Sequence, residues 1–282
     1  MSGSTIQDIA LRESRLTIAN GIAEFSHQRP KARNAISTDL IEDYGELIDR
    51  IHADRSILGL IITGSGGSFC AGGDIGSMRD RQACTDPDII GADFVRRRLD
   101  RAHRMLKQLR ELDVPVIAAV DGPAYGAGFG LALQADFILA SERASFCLSF
   151  ARIGAVPDWG TAYTLPRIVG MARAKELVLT ARRVDAKEAL ALGIALSVHP
   201  TDELSAQAHA MARRLAAGPR EAFGLAKRML NSSFETEYAT LAALEGTAQA
   251  VCLSSDYHQR AVARFMQGEP SLYDWDHPAN AE

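Results

Sequence analysis

Positive charge is not in excess in this chain. Its 31 lysines and arginines face 35 aspartates and glutamates, a formal net charge of −4 over 282 residues. No global field therefore draws it to nucleic acid or to an anionic membrane. Long hydrophobic runs are missing as well: no window approaches the ~18 consecutive apolar residues of a membrane span. The first residues, Met1-Ser2-Gly3-Ser4-Thr5, hold no basic stretch leading into an apolar core and do not read as a signal peptide. Cysteine is scarce. Cys70, Cys84, Cys147 and Cys252 are scattered, with no Cys-x-x-Cys, the usage of reduced thiols in a cytoplasm. The seven histidines form no His-x-x-x-His pair, and no metal site is expected. A Walker loop and a Gly-x-Ser-x-Gly nucleophile elbow are absent too, which weighs against a serine hydrolase.

What remains is ordinary globular material, 47% apolar and 23% charged, long enough to close a core without metal or disulfide. Residues 16–25 alternate apolar and polar around Asn20-Gly21, which predicts two antiparallel strands joined by a tight turn. Leu40, Ile41, Tyr44, Leu47, Ile48 and Ile51 recur at helical spacing behind the caps Ser37 and Thr38. Residues 57–63 read as a buried strand. Val95, Leu99, Ala102, Leu106 and Leu109 mark a long amphipathic helix, and its basic stripe (Arg96, Arg97, Arg101, Arg104, Lys107, Arg110) reads as a solvated face. A strand over 114–120, a short helix over 131–135 and a strand over 137–140 follow. Beyond Gly170 the pattern is almost wholly helical. The chain thus divides into an α/β core and a helical annex, with no fixed-period repeat.

Two glycine-rich loops each follow a buried strand: Ser68-Phe69-Cys70-Ala71-Gly72-Gly73-Asp74-Ile75 and Gly126-Ala127-Gly128-Phe129-Gly130. Small residues let a ligand approach the backbone, and N–H groups at a helix start are free to donate. Two such groups from separate loops can grip one developing oxyanion. The second loop is Gly-x-Gly-x-Gly, not the dinucleotide Gly-x-Gly-x-x-Gly, and no acidic residue lies ~20 positions on at the end of an obvious second strand. A third feature is the carboxylate of Asp158, set between Pro157 and Trp159 in an apolar stretch. Residue chemistry leaves two readings level: an acid with a raised pKa, suited to moving protons, or a plain cap on a helix starting near Trp159.

Together these stretches resemble the crotonase superfamily, the enoyl-CoA hydratase and isomerase family. Arg29-Pro30-Lys31-Ala32-Arg33-Asn34-Ala35-Ile36-Ser37 looks like its first CoA-contacting segment, and the two glycine-rich loops look like its two oxyanion loops. Leu165-Pro166-Arg167-Ile168-Val169-Gly170 and Ala186-Lys187-Glu188-Ala189-Leu190-Ala191-Leu192-Gly193 match later landmarks. The resemblance runs from about residue 12 to 270. It implies an α/β fold, a crotonase-like (ClpP/crotonase) spiral of ββα repeats over 12–200, with a helical C-terminal trimerisation region over 201–270 and tails at 1–11 and 271–282. It implies an acyl-CoA thioester substrate, with coenzyme A entering as part of the substrate and no separate cofactor, and a homotrimer or homohexamer in the cytoplasm. By the same resemblance the backbone N–H groups of Gly73 and Ala127 form the oxyanion hole. Lys31, Ala32, Arg33, Ala71, Asp74 and Ile75 lie along CoA, with Asp74 expected to brace its loop or cap the next helix. Phe150, Trp159 and Tyr163 are candidates for the acyl pocket.

The departures from the pattern select the chemistry. Hydratases of the family carry two glutamates at positions that here are Gly130 and Phe150, so a water cannot be held between two carboxylates. An aspartate at the place of Asp158 resembles the isomerase branches, above all the ring-epoxide isomerases of phenylacetate breakdown. The resemblance therefore favours a double-bond isomerase with Asp158 as its one base. The alternatives are an enoyl-CoA hydratase drawing on Glu142 or Asp136, both of which read as structural, a non-catalytic acyl-CoA-binding or assembly protein, and a hydrolase or decarboxylase of the same superfamily. Near the C-terminus, Phe265-Met266-Gln267-Gly268 resembles the helix that meets a neighbour's CoA, with Gly268 where a basic residue is expected.

Overall fold

The hairpin signal of Asn20-Gly21 is realised at the edge of a seven-stranded sheet. In the computed structural model, which describes residues 6–86, 89 and 91–276, strands β2 (Ser14–Ala19) and β3 (Ile22–His27) pair antiparallel with Ala19 opposite Ile22. Asn20 and Gly21 both have positive φ, the geometry that a two-residue hairpin turn needs. Strand β1 (Gln7–Ala10) extends the antiparallel edge, so part of the expected N-terminal tail belongs to the sheet. Residues 1–5 and 277–282 of the two expected tails lie outside the described residues.

From β3 onward the large sheet is parallel: β3, β4 (Gly59–Gly64), β5 (Val116–Val120), β7 (Phe137–Ser141) and β10 (Ser197–His199). Its strands are apolar on both faces because both are covered. Leu60 and Ile62 face one core with α1 (Thr38–Ala53) and α3 (Ala92–Arg110), the two amphipathic helices read from the sequence. Ile61, Ile117 and Leu139 face a second core built with Leu204, Ala208 and Ala212 of α8 (Leu204–Ala216). Helix α1 starts as its sequence predicts: Ser37 Oγ accepts the Leu40 N–H at 3.1 Å. The buried Asp43 on this helix accepts from the Arg12 and Glu13 N–H groups and the Ser14 hydroxyl, tying the β1–β2 turn to the core.

A smaller sheet of β6 (Pro123–Tyr125), β8 (Ser145–Cys147) and β9 (Arg183–Asp185) lies beside the first. The chain visits it in a repeated way. After β5 it makes β6, after β7 it makes β8, and after β4 it makes a single bridge, Cys70 with Ala124. Each visit is followed by helix or helical turns: α2 (Ile75–Gln82) and α3, then α4 (Ala127–Ala132), then the 3-10 turn Ser149–Ile153 with α5 (Thr161–Val169) and α6 (Met171–Thr180). This is the ββα spiral of a crotonase-like fold.

Two expectations need correcting. Beyond Gly170 the chain is not wholly helical, since β9 and β10 lie on either side of α7 (Ala186–Ala191). Strands of three residues are too short to show a period. The helix after the second glycine-rich loop starts at Ala127, not 131, because that loop is itself the helix. The last helices, α9 (Arg220–Ser232), α10 (Tyr238–Leu253) and α11 (Asp256–Met266), leave much apolar surface open: Tyr238, Leu244, Val251, Phe265 and Met266 are exposed. Among the described residues no helix is long and apolar enough to cross a membrane.

Candidate active site

The first glycine-rich loop is laced into place from both sides. On one side Ile36 N–H donates to Gly72 O at 2.8 Å and Ala71 N–H to Arg33 O at 3.0 Å, so the segment 33–36 runs along the loop. Asn34 Nδ2 donates to Ser65 O and Ser68 O beneath it. On the other side Cys70 N–H donates to Pro123 O at 3.0 Å and Tyr125 N–H to Cys70 O at 2.9 Å, which joins the first loop to the strand entering the second. The loops then touch. A β-carbon at Gly72, where φ is +94°, would lie 2.7 Å from Tyr125 O and 3.5 Å from Ala127 N. Only glycine fits both that backbone angle and that approach.

Two backbone N–H groups are left over. Among the described residues neither Gly73 nor Ala127 donates to any acceptor within the chain. Ala127 is the first residue of α4, where a helix has no internal partner for its N–H. Both residues line one cavity of about 330 Å³.

Asp158 lines the same cavity. Its backbone carbonyl, not its carboxyl, starts α5: Thr161 N–H and Thr161 Oγ1 donate to Asp158 O at 3.0 and 2.6 Å. The cap position is Gly160, with no side-chain hydrogen bond. The capping reading of the carboxylate therefore fails. Its Oδ1 is closed off from solvent and has no hydrogen-bond partner. Burial in these surroundings pushes the carboxyl up from 3.8 to about 6, against the pull of Arg98 and of its own N–H.

The orientation of Asp158 depends on its neighbour. Trp159 and Gly160 both have positive φ, and Gln134 Nε2 holds the turn by donating to Gly130 O at 3.0 Å and Trp159 O at 3.2 Å. Trp159 is buried against Gly130. A β-carbon at position 130 would lie 2.8 Å from Trp159 Cβ and from Thr161 Oγ1, and 3.0 Å from Trp159 O. Position 130 thus has no room for a glutamate.

The expected residues divide. Ala71 and Ile75 line the cavity with Gly73, Ala127 and Asp158, and so do Phe150 and Trp159. Lys31, Ala32 and Arg33 lie outside it; Lys31 and Arg33 are exposed and have no ion-pair partner among the described residues. The Asp74 carboxylate is committed elsewhere. Arg29 Nη2 donates to it at 2.9 Å and the Ser77 N–H at 3.2 Å, and these bonds hold it below the usual carboxylate range. Tyr163 is a correction. It does not line the cavity: its hydroxyl donates to Asn231 O at 3.1 Å and Glu235 Oε2 at 2.9 Å, with Arg167 stacked 3.6 Å from the ring centroid. Four residues past Trp159 on a new helix, it points toward α9 instead.

Arg98 is a residue that the sequence reading passed over, although the signal was present. It sits three residues after Val95 and four before Ala102, on the apolar stripe of α3, where a charge is out of place. Gln134, alone among the apolar residues of its turn, is a second.

A profile of the enoyl-CoA hydratase/isomerase family matches residues 17–274. The chain belongs to the enoyl-CoA hydratase/isomerase family. A solved enoyl-CoA hydratase/isomerase from Cupriavidus metallidurans superposes with a TM-score of 0.88 at 34% identity, covering 94% of this chain and 97% of that one. The family member named short-chain-enoyl-CoA hydratase in Clostridium acetobutylicum is 32% identical over 87% of this chain and 91% of its own. The 1,2-epoxyphenylacetyl-CoA isomerase of Escherichia coli is 30% identical over 88% and 93%. Both kinds of chemistry thus occur among similar members of the family. The two acids that a hydratase might draw on here, Glu142 and Asp136, do not line the cavity. Glu142 is exposed beside β10, and Asp136 accepts from the Val116 N–H at 2.8 Å and Lys227 Nζ at 2.7 Å.

Proposed function

We propose that this enzyme moves a carbon–carbon double bond in an acyl-CoA thioester from the β,γ to the α,β position, with Asp158 as its base. The observation that carries the reading is a cavity where a carboxylate with an unclaimed Oδ1 meets two unpartnered backbone N–H groups, while Trp159 and Thr161 fill the space a second carboxylate would need. The thioester oxygen accepts from Gly73 N–H and Ala127 N–H. Enolate charge then develops against donors already in place; losing one such donor typically costs ~2.7–4 kcal/mol of transition-state stabilisation. Asp158 takes the proton from the α carbon and returns it to the γ carbon, so one group serves both halves and no proton is gained or lost. With its carboxyl near 6, Asp158 is mostly ionised at neutral pH yet basic enough to take a proton.

The CoA moiety is assigned to the segment of Lys31, Ala32 and Arg33, with Ala71, Asp74 and Ile75. The exposed side chains of Lys31 and Arg33 are available to its phosphates, while Asp74 contributes main chain. Phe150 and Trp159 wall the acyl end and favour a bulky or cyclic group, as the name of the Escherichia coli relative suggests. The apolar surface of α10 and α11 supports a homotrimer or homohexamer, and four free cysteines suit the cytoplasm.

The hydratase reading is favoured by the hydratase names that several relatives carry, the Clostridium protein among them. Product analysis separates the two. With 3-enoyl-CoA and 2-enoyl-CoA thioesters, aliphatic and aromatic, the expected product is the 2-enoyl isomer, with little 3-hydroxyacyl-CoA. Asp158→Asn should lower isomerisation by about 10²–10⁴-fold, the range for loss of a general base. Isomerase activity surviving within a few-fold would sink the assignment. Binding of all thioesters without turnover would favour the non-catalytic reading.

A further inference from the structure

A histidine is buried beneath the first glycine-rich loop. His27, the last residue of β3, is 1% exposed, and its ring packs among those of Phe25, Tyr44 and Phe69, with centroids 5.9, 5.8 and 5.6 Å away. An aliphatic side chain would fill such a space without the cost of burying two ring nitrogens. Here both nitrogens are used. Nδ1 lies 3.0 Å from Phe69 O, and Nε2 lies 2.8 Å from the Tyr44 hydroxyl. A carbonyl can only accept, so Nδ1 carries the proton. Burial keeps the ring neutral, pushing it down from 6.5 to about 4 against the pull of Phe69 O and the Asp43 charge, so Nε2 accepts from the Tyr44 O–H.

The carbonyl that His27 takes has no backbone partner. Ser68 O and Phe69 O turn back over Gly64 at the end of β4, where a β-carbon would lie 2.2 and 2.5 Å from them. Among the described residues no backbone N–H donates to either. Asn34 supplies the donor to Ser68 O at 2.6 Å, and His27 supplies the donor to Phe69 O. Phe69 O and the Cys70 N–H belong to one peptide, and that N–H donates to Pro123 O at 3.0 Å, on the strand that enters the second loop. The peptide is therefore held at one end from the second loop and at the other from the core. From it the chain runs through Ala71 and Gly72 to Gly73.

We propose that His27 is a positioning residue: by holding the Phe69–Cys70 peptide against the core, it keeps the first loop in register with the second, so that the N–H groups of Gly73 and Ala127 converge on one oxygen. The inference rests on the functional reading only in taking those two groups as donors to the thioester oxygen. Without His27 the Phe69 carbonyl is buried with no partner, and the peptide turns to find one. Turning it draws the Cys70 N–H off Pro123 O and unlaces the loops where they cross.

Two amides part this role from plain core packing. Counted from Cβ, asparagine Nδ2 stands where Nδ1 does, and glutamine Nε2 stands where the ring Nε2 does. His27→Asn keeps the bond to Phe69 O and loses the one to Tyr44, whereas His27→Gln keeps Tyr44 and loses Phe69 O. Each leaves one buried polar group unpartnered, so the two should melt at similar temperatures. Their kinetics should differ. His27→Gln should lower kcat for a 3-enoyl-CoA by about 10²-fold, the cost of a misplacement of about 1 Å, with KM within about threefold, while His27→Asn should keep both within about threefold. The donors are read without turnover through bound cinnamoyl-CoA, whose absorbance moves to the red when its thioester oxygen is polarised. At saturation the shift should persist in His27→Asn and largely vanish in His27→Gln. Should the glutamine variant not fold, His27→Leu combined with Tyr44→Phe, which leaves Phe69 O as the one unpartnered group, takes its place with the same expected outcome. Equal kcat and equal shifts in the two amide variants overturn the proposal. So does a loss of kcat in His27→Gln with the wild-type shift retained. A wild-type complex without the red shift overturns the oxyanion reading itself. A wild-type protein with the shift but no isomerase activity overturns the isomerase reading and leaves this one standing.

Discussion

Replacing Asp158 by asparagine should make the protein more stable above neutrality while it removes the chemistry. The reason is the environment of the carboxyl, which raises it from 3.8 to about 6. Below pH 4 the group is neutral in the folded and the unfolded chain and contributes nothing. As pH rises from about 4 to 6 the unfolded chain ionises first, and folding loses about 1.4 kcal/mol per pH unit. Above 6 the loss is complete, roughly 3 kcal/mol as a ceiling, because Asp158 is only partly buried and solvent screens part of it. The amide of asparagine still leaves a buried polar group without a partner, worth about 1 kcal/mol in the other direction. The expected gain at pH 8 is therefore about 1–2 kcal/mol, or roughly 2–4 °C in Tm for a chain of this size. The gain should shrink as pH falls and turn into a loss of about 1 kcal/mol near pH 4. Urea denaturation of both proteins across pH 4–8, at one protein concentration so that assembly adds the same term, measures it. A variant less stable than wild type at pH 8, or an offset independent of pH, would refute the electrostatic account of this site.

Two further outcomes follow from the packing. Gly130→Glu should cost at least about 1–3 kcal/mol by overpacking against Trp159 and Thr161, and should bring no hydration of a 2-enoyl-CoA. Combined with Thr161→Ala it should cost less than the sum of the single changes, because the new β-carbon would lie 2.8 Å from Thr161 Oγ1; a double-mutant cycle in thermal melts would detect this, and strict additivity would mean the two positions do not meet. Tyr163→Phe should leave kcat/KM within about twofold, because the phenol meets Asn231 and Glu235 and not the cavity, while lowering stability by about 1 kcal/mol. A large kinetic defect in that variant would return Tyr163 to the acyl site.

Much of the fold was legible because its signals are local. Asn20-Gly21 fixes a hairpin, Ser37 caps α1, and the run at 57–63 needs burial on both faces. What was illegible depends on partners far along the chain. The strands β6, β8 and β9 have three residues each and exist only because they pair with one another. Tyr163 and Trp159 are both aromatic and four residues apart. What separates them is the left-handed turn at 159–160, which sets Trp159 against Gly130 and leaves the Tyr163 hydroxyl facing Asn231 and Glu235. The two readings of Asp158 could not be parted by composition, since both place an acid before a helix. The hydrogen bond that starts α5 parts them, because the main-chain carbonyl accepts it and the carboxylate's Oδ1 is left without a partner. Arg98 was missed for a simpler reason: it belongs neither to the basic stripe read on the outer face of α3 nor to the apolar residues that marked the helix, although helical spacing places it among the latter.

The contact between Gly130 and Trp159 also governs how this site can be rebuilt. Adding a carboxylate at 130 meets Trp159 Cβ, Trp159 O and Thr161 Oγ1, and shrinking Trp159 opens a void while leaving its Cβ and carbonyl in place. Each step is unfavourable by itself. Routes in sequence space between a one-acid and a two-acid site of this kind therefore pass through a valley, and a library built from single substitutions will not cross it. Variation at 130 together with 159 and 161, with Gln134 kept, is the smallest search that can.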